Sequence, residues 1–159
     1  VLILGIDPGS RYCGYGLLQL EARKVVAAGC DVIDVSRTKD LPERLKLLHE
    51  QLADVIHQYK PDVAAIETMF YNKHVKSIFT LGHARGVLLL TLAQYDLPIF
   101  EYSPREVKKA VVGNGNATKQ QVRFMVNTMF QLKNKPEQDD AYDALALSVC
   151  HFNRIRFSS

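Results

Sequence analysis

Two short apolar runs, each closed by an acid, set the frame into which this chain can fold. Val1-Leu2-Ile3-Leu4-Gly5-Ile6 ends at Asp7, and Val63-Ala64-Ala65-Ile66 ends at Glu67. Both runs are short, apolar and followed by turn or loop residues, so they read as buried strands. Asp140 and Asp143 stand three apart in a segment with helical character and share one helix face. Acids are rarely buried unless they are paired or bind a cation. Acids at the ends of core strands therefore point to a divalent metal, and through it to a metal-dependent enzyme.

The remaining elements define the fold class. Tyr12–Leu20 and Val25–Val35 read as two further strands joined by a hairpin at Glu21–Lys24. Asp40, with Glu43 three residues later, starts a helix whose stripe is Leu41, Leu45, Leu48, Leu52, Val55 and Tyr59. That helix stops before Pro61, and Asp62–Glu67 is the fourth strand. Thr68–Lys76 is a polar and aromatic loop, followed by a long helix over Ser77–Tyr95. Gly82 and Gly86, one turn apart on it, cost helix stability and so suggest close packing. Leu97–Tyr102 is the fifth strand, and Ser103-Pro104-Arg105-Glu106 opens a helix with an N-cap, a proline at N1 and a glutamate at N3. Two more helices, near Thr118–Phe130 and Pro136–Phe152, follow a Gly113–Asn116 loop that lacks a P-loop Lys-Ser/Thr ending.

A three-strand meander feeding β–α–β units gives an α/β protein: a mixed five-stranded sheet flanked by helices. Ends of adjacent strands then lie together, which brings Asp7 toward Glu67. The helix bearing Asp140 and Asp143 has to lie against that same edge for a site to form.

At 159 residues, 47% hydrophobic and 23% charged, the chain reads as one domain spanning 1–159. No apolar run approaches the roughly 18–20 residues of a membrane span. Val1 in place of an initiator Met indicates a trimmed start, and the residues after it do not read as a signal peptide. Cys13, Cys30 and Cys150 are widely spaced without a CxxC pair, which suits reduced thiols in a cytoplasmic protein better than zinc ligands.

Magnesium prefers oxygen ligands in octahedral geometry and combines carboxylates with waters and substrate phosphates. Two ions about 3.5–4 Å apart can activate a water and stabilise the leaving oxygen of an in-line phosphodiester displacement. Read singly, Asp7 can instead cap the Asp7-Pro8-Gly9-Ser10 turn, and Asp140 and Asp143 can be first-turn helix acids favoured by the dipole. Glu67 has no such alternative, because a glutamate ending an apolar strand caps nothing. Asp139, four residues before Asp143, can face the same way as Asp140, and spacing leaves that choice open.

The net charge of +3 is modest, but from Tyr71 to Lys135 ten basic residues face only Asp96, Glu101 and Glu106. Such a face suits a phosphate backbone; a solvated basic surface is the plainer reading. Phe70 and Tyr71 follow Glu67 closely, where exposed aromatics can stack on unpaired bases for about 1–3 kcal/mol each, or where they can anchor the loop to the core. Lys73 and Lys76 flank the same stretch.

An ordered set of motifs now carries a resemblance. It comprises Gly5-Ile6-Asp7-Pro8-Gly9-Ser10 with Gly14-Tyr15-Gly16, Ala65-Ile66-Glu67, Leu81-Gly82-His83-Ala84-Arg85-Gly86, Val107-Lys108 with Val111-Val112-Gly113, and Asp140-Ala141-Tyr142-Asp143-Ala144-Leu145-Ala146. In order and spacing these resemble the RuvC family of bacterial Holliday-junction resolvases, over nearly the whole chain.

The resemblance implies a ribonuclease H-like fold and a homodimer that nicks opposed strands of a four-way DNA junction in homologous recombination and DNA repair. It implies metal ligation by Asp7, Glu67, Asp140 and Asp143, selecting Asp140 over Asp139, with Mg²⁺ as cofactor, two ions per subunit, and Mn²⁺ as a substitute. It gives Lys108 and Lys119 roles in DNA binding and cleavage, and Phe70 a stacking role near the junction centre. A RuvA–RuvB branch-migration complex is the implied partner, and no membrane is involved. Read from the residues themselves, Arg85 can reach phosphate, His83 reads as a packing or surface histidine, and Lys109, without a family counterpart, reads as part of a solvated helix face. Ser77-Ile78-Phe79-Thr80 departs from the family by being more apolar and bulkier.

Two other readings compete. The Gly5–Ser10 stretch resembles the first phosphate loop of actin-like sugar kinases, but those need two lobes and this chain has one such loop. A DNA-binding module without catalysis leaves four acids unexplained, since carboxylates repel phosphates unless metal intervenes. Leu81, Leu88, Leu89, Leu90 and Leu92 give the Ser77–Tyr95 helix more apolar surface than one sheet contact needs, which suits a two-fold dimer.

Overall fold

Alternating apolar residues in the first third of the chain build an antiparallel meander. In the computed structural model, which describes residues 1–68 and 75–157, β1 (Leu2–Asp7), β2 (Tyr12–Glu21) and β3 (Lys24–Asp34) pair in chain order. The register sets Ile3 opposite Leu18, Gly5 opposite Gly16 and Asp7 opposite Gly14. Helix α1 (Leu41–Tyr59) crosses over and returns the chain as β4 (Val63–Glu67), parallel to β1. Helix α2 (Val75–Gln94) then delivers β5 (Ile99–Tyr102), parallel to β4. The strand order β3-β2-β1-β4-β5 is the expected mixed sheet.

Local chemistry sets most boundaries. Asp40 caps α1 by accepting from the Glu43 amide at 3.2 Å, and Lys60 ends it in the left-handed region at φ 52°. Helix α3 (Pro104–Val112) carries a complete capping box between Ser103 and Glu106, and Gly113 closes it at φ 84°. Helix α4 (Lys119–Phe130) repeats the device with Thr118 and Gln121. Helix α5 runs Asp139–Phe157, starting later and ending later than expected from pattern alone. Its start is delayed because the Pro136 carbonyl is taken by the Tyr142 hydroxyl at 2.9 Å and by Arg123, which holds that segment as a turn.

The sheet separates two cores. On one face Ile3, Leu18, Val63 and Ala65 pack against Val107, Val111, Val122, Val126, Leu145 and Val149 from α3, α4 and α5. On the other, Leu4, Ile6, Ala64 and Ile66 pack against Leu48, Leu52, Ala84, Leu88 and Leu92 from α1 and α2. Each fully buried side chain of this kind stabilises the fold by about 1.5–3 kcal/mol.

Helix α2 corrects two expectations. Among the described residues it is long and apolar enough, by length and composition, to cross a membrane, because apolar side chains occupy its outer side as well as its core side. Ala84, Leu88 and Leu92 are buried, while Phe79 and Leu90 are 67% and 58% exposed. Nor does Gly86 serve close packing within the chain: a Cβ built there meets nothing within 4 Å.

Candidate functional site

Asp7 is the last residue of β1 and Glu67 the last of β4. Parallel pairing of Ile6 with Ile66 sets the two acids side by side at one edge of the sheet. Side chains alternate along a strand, so Asp7 shares the face of Ile3, and Glu67 that of Val63 and Ala65. This is the face that α5 covers.

What brings α5 down onto that edge is the absence of side chains beneath it. A Cβ at Gly14, the residue paired with Asp7, would overlap the Asp140 carbonyl oxygen; one at Gly5 would overlap the Ala144 carbonyl oxygen. The helix backbone rests directly on the strands, and Ser148 Oγ pins it further by donating to the Gly16 carbonyl at 3.1 Å. Asp140 and Asp143 are thereby delivered to the ends of β1 and β4. Together with Asp7, Glu67, Lys108 and Lys119 they line a cleft of about 310 Å³.

The electrostatics are those of crowded like charges in a partly dry site. Burial, then the charges of Glu67, Asp143 and Asp140, hold the Asp7 carboxyl well above the usual range. Burial and Asp143 push Glu67 up. Asp143 rises to about 6, again by burial first, with Asp140 and Asp139 adding to it and Lys119 opposing. Lys119 Nζ stands 3.7 Å from Asp143 Oδ2. Burial works against its charge, but Asp143, Asp7 and Asp140 outweigh this and hold the ammonium above its ordinary range.

Among the described residues, no group of three or more His, Cys, Asp or Glu side chains is gathered tightly enough to hold an ion as it stands. The four acids share a cleft and perturb one another without closing into a ligand cage. A roomier cavity of about 540 Å³, beside Tyr15, Leu17 and Tyr59, has one carboxylate in its wall, Asp31, and no cationic side chain. The concentrated charge lies in the smaller cleft.

The other residues singled out from the sequence are placed as follows. Lys108 reaches the cleft from α3 and Lys119 from the first position of α4. Lys76 is exposed at the start of α2. Arg85 does not project outward: Nη2 pairs with Glu101 Oε2 at 3.1 Å, and Nε donates to the Glu67 carbonyl at 3.3 Å. Its place is behind the site, bracing the strand end that carries Glu67. Phe70, Tyr71 and Lys73 lie outside the described residues. Asp139 pairs with Arg123 and is not part of the cleft wall.

Sequence reasoning passed over Gly14, Arg123 and the Arg85–Glu101 pair as structural parts of the site. Gly14 left a signal: glycines two apart on a strand share one face and mark a close backbone approach. The two arginines left none, because their partners are distant in sequence.

The family model for crossover junction endodeoxyribonuclease RuvC matches residues 3–151. The crossover junction endodeoxyribonuclease RuvC of Syntrophomonas wolfei subsp. wolfei is 43% identical over 157 residues, covering 99% of this chain and 91% of that relative. Its counterpart in Vibrio vulnificus is 46% identical over 152 residues, covering 96% and 87%. Among solved structures, T. thermophilus RuvC in complex with Holliday junction substrate superposes with a TM-score of 0.87 at 29% identity, covering 99% of this chain and 96% of that one.

Proposed function

Because the chain belongs to the RuvC family of crossover junction endodeoxyribonucleases, endonucleases that resolve Holliday junctions, we propose that the cleft of Asp7, Glu67, Asp140 and Asp143 is its cutting centre. The observation that carries this reading is the convergence of four acids from three elements on one cleft, with Lys119 ion-paired at its rim.

An all-oxygen donor set of this charge fits Mg²⁺, or Mn²⁺, and has the carboxylates to hold two ions. The raised proton affinity of Asp7, Glu67 and Asp143 expresses the same fit, since a bound cation relieves the repulsion that a proton otherwise relieves. When bound, the cations supply an activated water and draw charge from the scissile phosphate.

The protein's own residues do the rest. Asp7 and Glu67 give the site a rigid floor, being fixed by the sheet. Asp140 and Asp143 give it a wall that moves only with α5. Lys119 and Lys108 meet the phosphate that enters the cleft; Lys119 then exchanges its Asp143 partner for a phosphate oxygen and balances the charge that grows there. Phe70, Tyr71, Lys73 and Lys76 add to the DNA contact.

Paired nicks at a two-fold substrate call for two active sites, and the outer side of α2 is suited to join them. Phe79, Gly82, Gly86 and Leu90 line an open groove of about 550 Å³ between α1 and α2, almost wholly apolar. A second copy covering it would form a homodimer related by the same two-fold axis as the junction. A RuvA–RuvB branch-migration complex would present the junction, in the cytoplasm.

The test is a synthetic four-way junction incubated with protein and Mg²⁺ beside a linear duplex of the same sequence. Symmetric nicks confined to the junction are expected. Equal cutting of both substrates would remove the selectivity for structure, and an uncut junction under these conditions would remove the nuclease reading.

A further inference from the structure

Arg123 lies one turn beyond Lys119 on α4 and directs its guanidinium at the entry to α5. Nη1 donates to the Glu137 carbonyl and to Asp139 Oδ1, both at 3.0 Å, and Nη2 donates to the Pro136 carbonyl at 3.2 Å. The same guanidinium stands 4.5 Å over the Tyr142 ring, whose hydroxyl also donates to the Pro136 carbonyl. Every one of these partners lies within four residues of Asp140 or Asp143. A planar fork of donors holds two carbonyls and a carboxylate in one fixed geometry, where an ammonium offers fewer donors on a freely rotating head.

Two consequences follow for the cleft. The turn 136–138 and the first turn of α5 are tied to α4, the helix that also supplies Lys119, so the acids and the lysine share one frame. The Asp139 carboxylate is drawn toward α4, and the cleft wall contains Asp140 and Asp143 without it. Residues that orient ligands from behind are known to matter nearly as much as the ligands themselves.

We propose that Arg123 is a positioning residue for the cation site: it locks the entry of α5 and withholds Asp139, so that Asp140 and Asp143 face the cleft. The proposal rests on reading the four acids as that site. It explains by a contact why Asp140 rather than its neighbour is the ligand.

The experiment measures how far Mn²⁺ raises the melting temperature of the DNA-free protein and, separately, the Mn²⁺ concentration for half-maximal junction cleavage. Arg123→Gln is expected to need about tenfold more Mn²⁺ in both measurements. Arg123→Lys, which keeps the charge and loses the fork, is expected to fall between it and the parent, and carries the test should Arg123→Gln not fold. Asp139→Asn alone is expected to match the parent, since the amide still accepts from Arg123; combined with Arg123→Gln it is expected to recover part of the loss.

A brace without bearing on the cation would lower the melting temperature in EDTA yet leave the Mn²⁺ response of both Arg123 variants unmoved, and that outcome overturns the proposal. It is equally overturned if Asp139→Asn weakens the Mn²⁺ response as much as Asp140→Asn does. An intact Mn²⁺ response in Asp140→Asn would sink the reading of the site itself, and Arg123's role with it. A lost response there beside an unmoved Arg123→Gln confines the failure to Arg123.

Discussion

The two faces of the sheet solve opposite problems. Under α5 the strands present glycine, the helix backbone touches them directly, and charged side chains are carried into a partly buried cleft. Under α1 and α2 the strands present Leu4, Ile6, Ala64 and Ile66, no carboxylate among the described residues is buried, and apolar side chains remain on the outside of α2. The first face trades stability for chemistry, since like charges crowd where water is scarce. The second holds surplus apolar surface that a partner can cover. A molecule arranged this way holds its crowded charge on a rigid seat and its surplus apolar surface on the opposite side.

The sharpest way to test that division is to remove charge from the α5 face. Asp7→Asn is expected to lower junction cleavage by about a thousandfold or more while leaving junction binding in a gel-shift assay near the parent level. Full cleavage by that variant in Mg²⁺ would take Asp7 out of the mechanism.

The cost of the crowded acids is expected to show as a dependence on pH. Asp143 has an ordinary value of 3.8 and rises to about 6 in the folded chain. The folded state thus holds this proton more tightly than the unfolded state, so the contribution is fully present below about 3.8 and is lost as pH climbs through about 6. It is on the order of 2–3 kcal/mol. Thermal melts in EDTA from pH 4 to pH 7 are expected to show the parent losing stability relative to Asp143→Asn over that window. Parallel curves for the two proteins would contradict it.

On the opposite face the expected loss is one of assembly. Phe79→Glu puts a charge into the apolar groove and is expected to weaken self-association by about 2 kcal/mol, visible as a shift to monomer in sedimentation, with the melting temperature of the subunit little changed. Unaltered association would move the dimer seam elsewhere.

The smallest effects come from one methyl group placed on each face. Gly14→Ala drives a Cβ into the Asp140 carbonyl and is expected to destabilise the chain by about 1–2 kcal/mol in urea. Gly86→Ala meets open space on a helix and is expected to stabilise the subunit by about 0.5–1 kcal/mol. Should both substitutions move stability in the same direction, the contrast drawn between the two faces would be lost.

Much of the architecture is legible in the sequence. Asp40, Ser103 and Thr118 mark their helix starts through contacts three residues long, and the five strands announce themselves as short apolar or alternating runs. Asp7 and Glu67 were readable as a pair because parallel neighbours place their ends together. The start of α5 was not, because it depends on Arg123 and Tyr142 capturing the Pro136 carbonyl. The inward turn of Arg85 toward Glu101 was hidden for the same reason.

The sequence by itself determined the order of elements, the two acids at strand ends and the family to which they belong, since these follow from local pattern and motif spacing. Only the tertiary structure decided that Asp140 meets Asp7. That meeting requires a helix more than a hundred residues downstream to settle on Gly14, and a close approach of backbones leaves no mark on either segment alone. The separation of Asp139 from Asp140 differs: the motif around Asp140 already favours it in the sequence, and the structure adds the contact, an ion pair that draws Asp139 toward Arg123 on another helix.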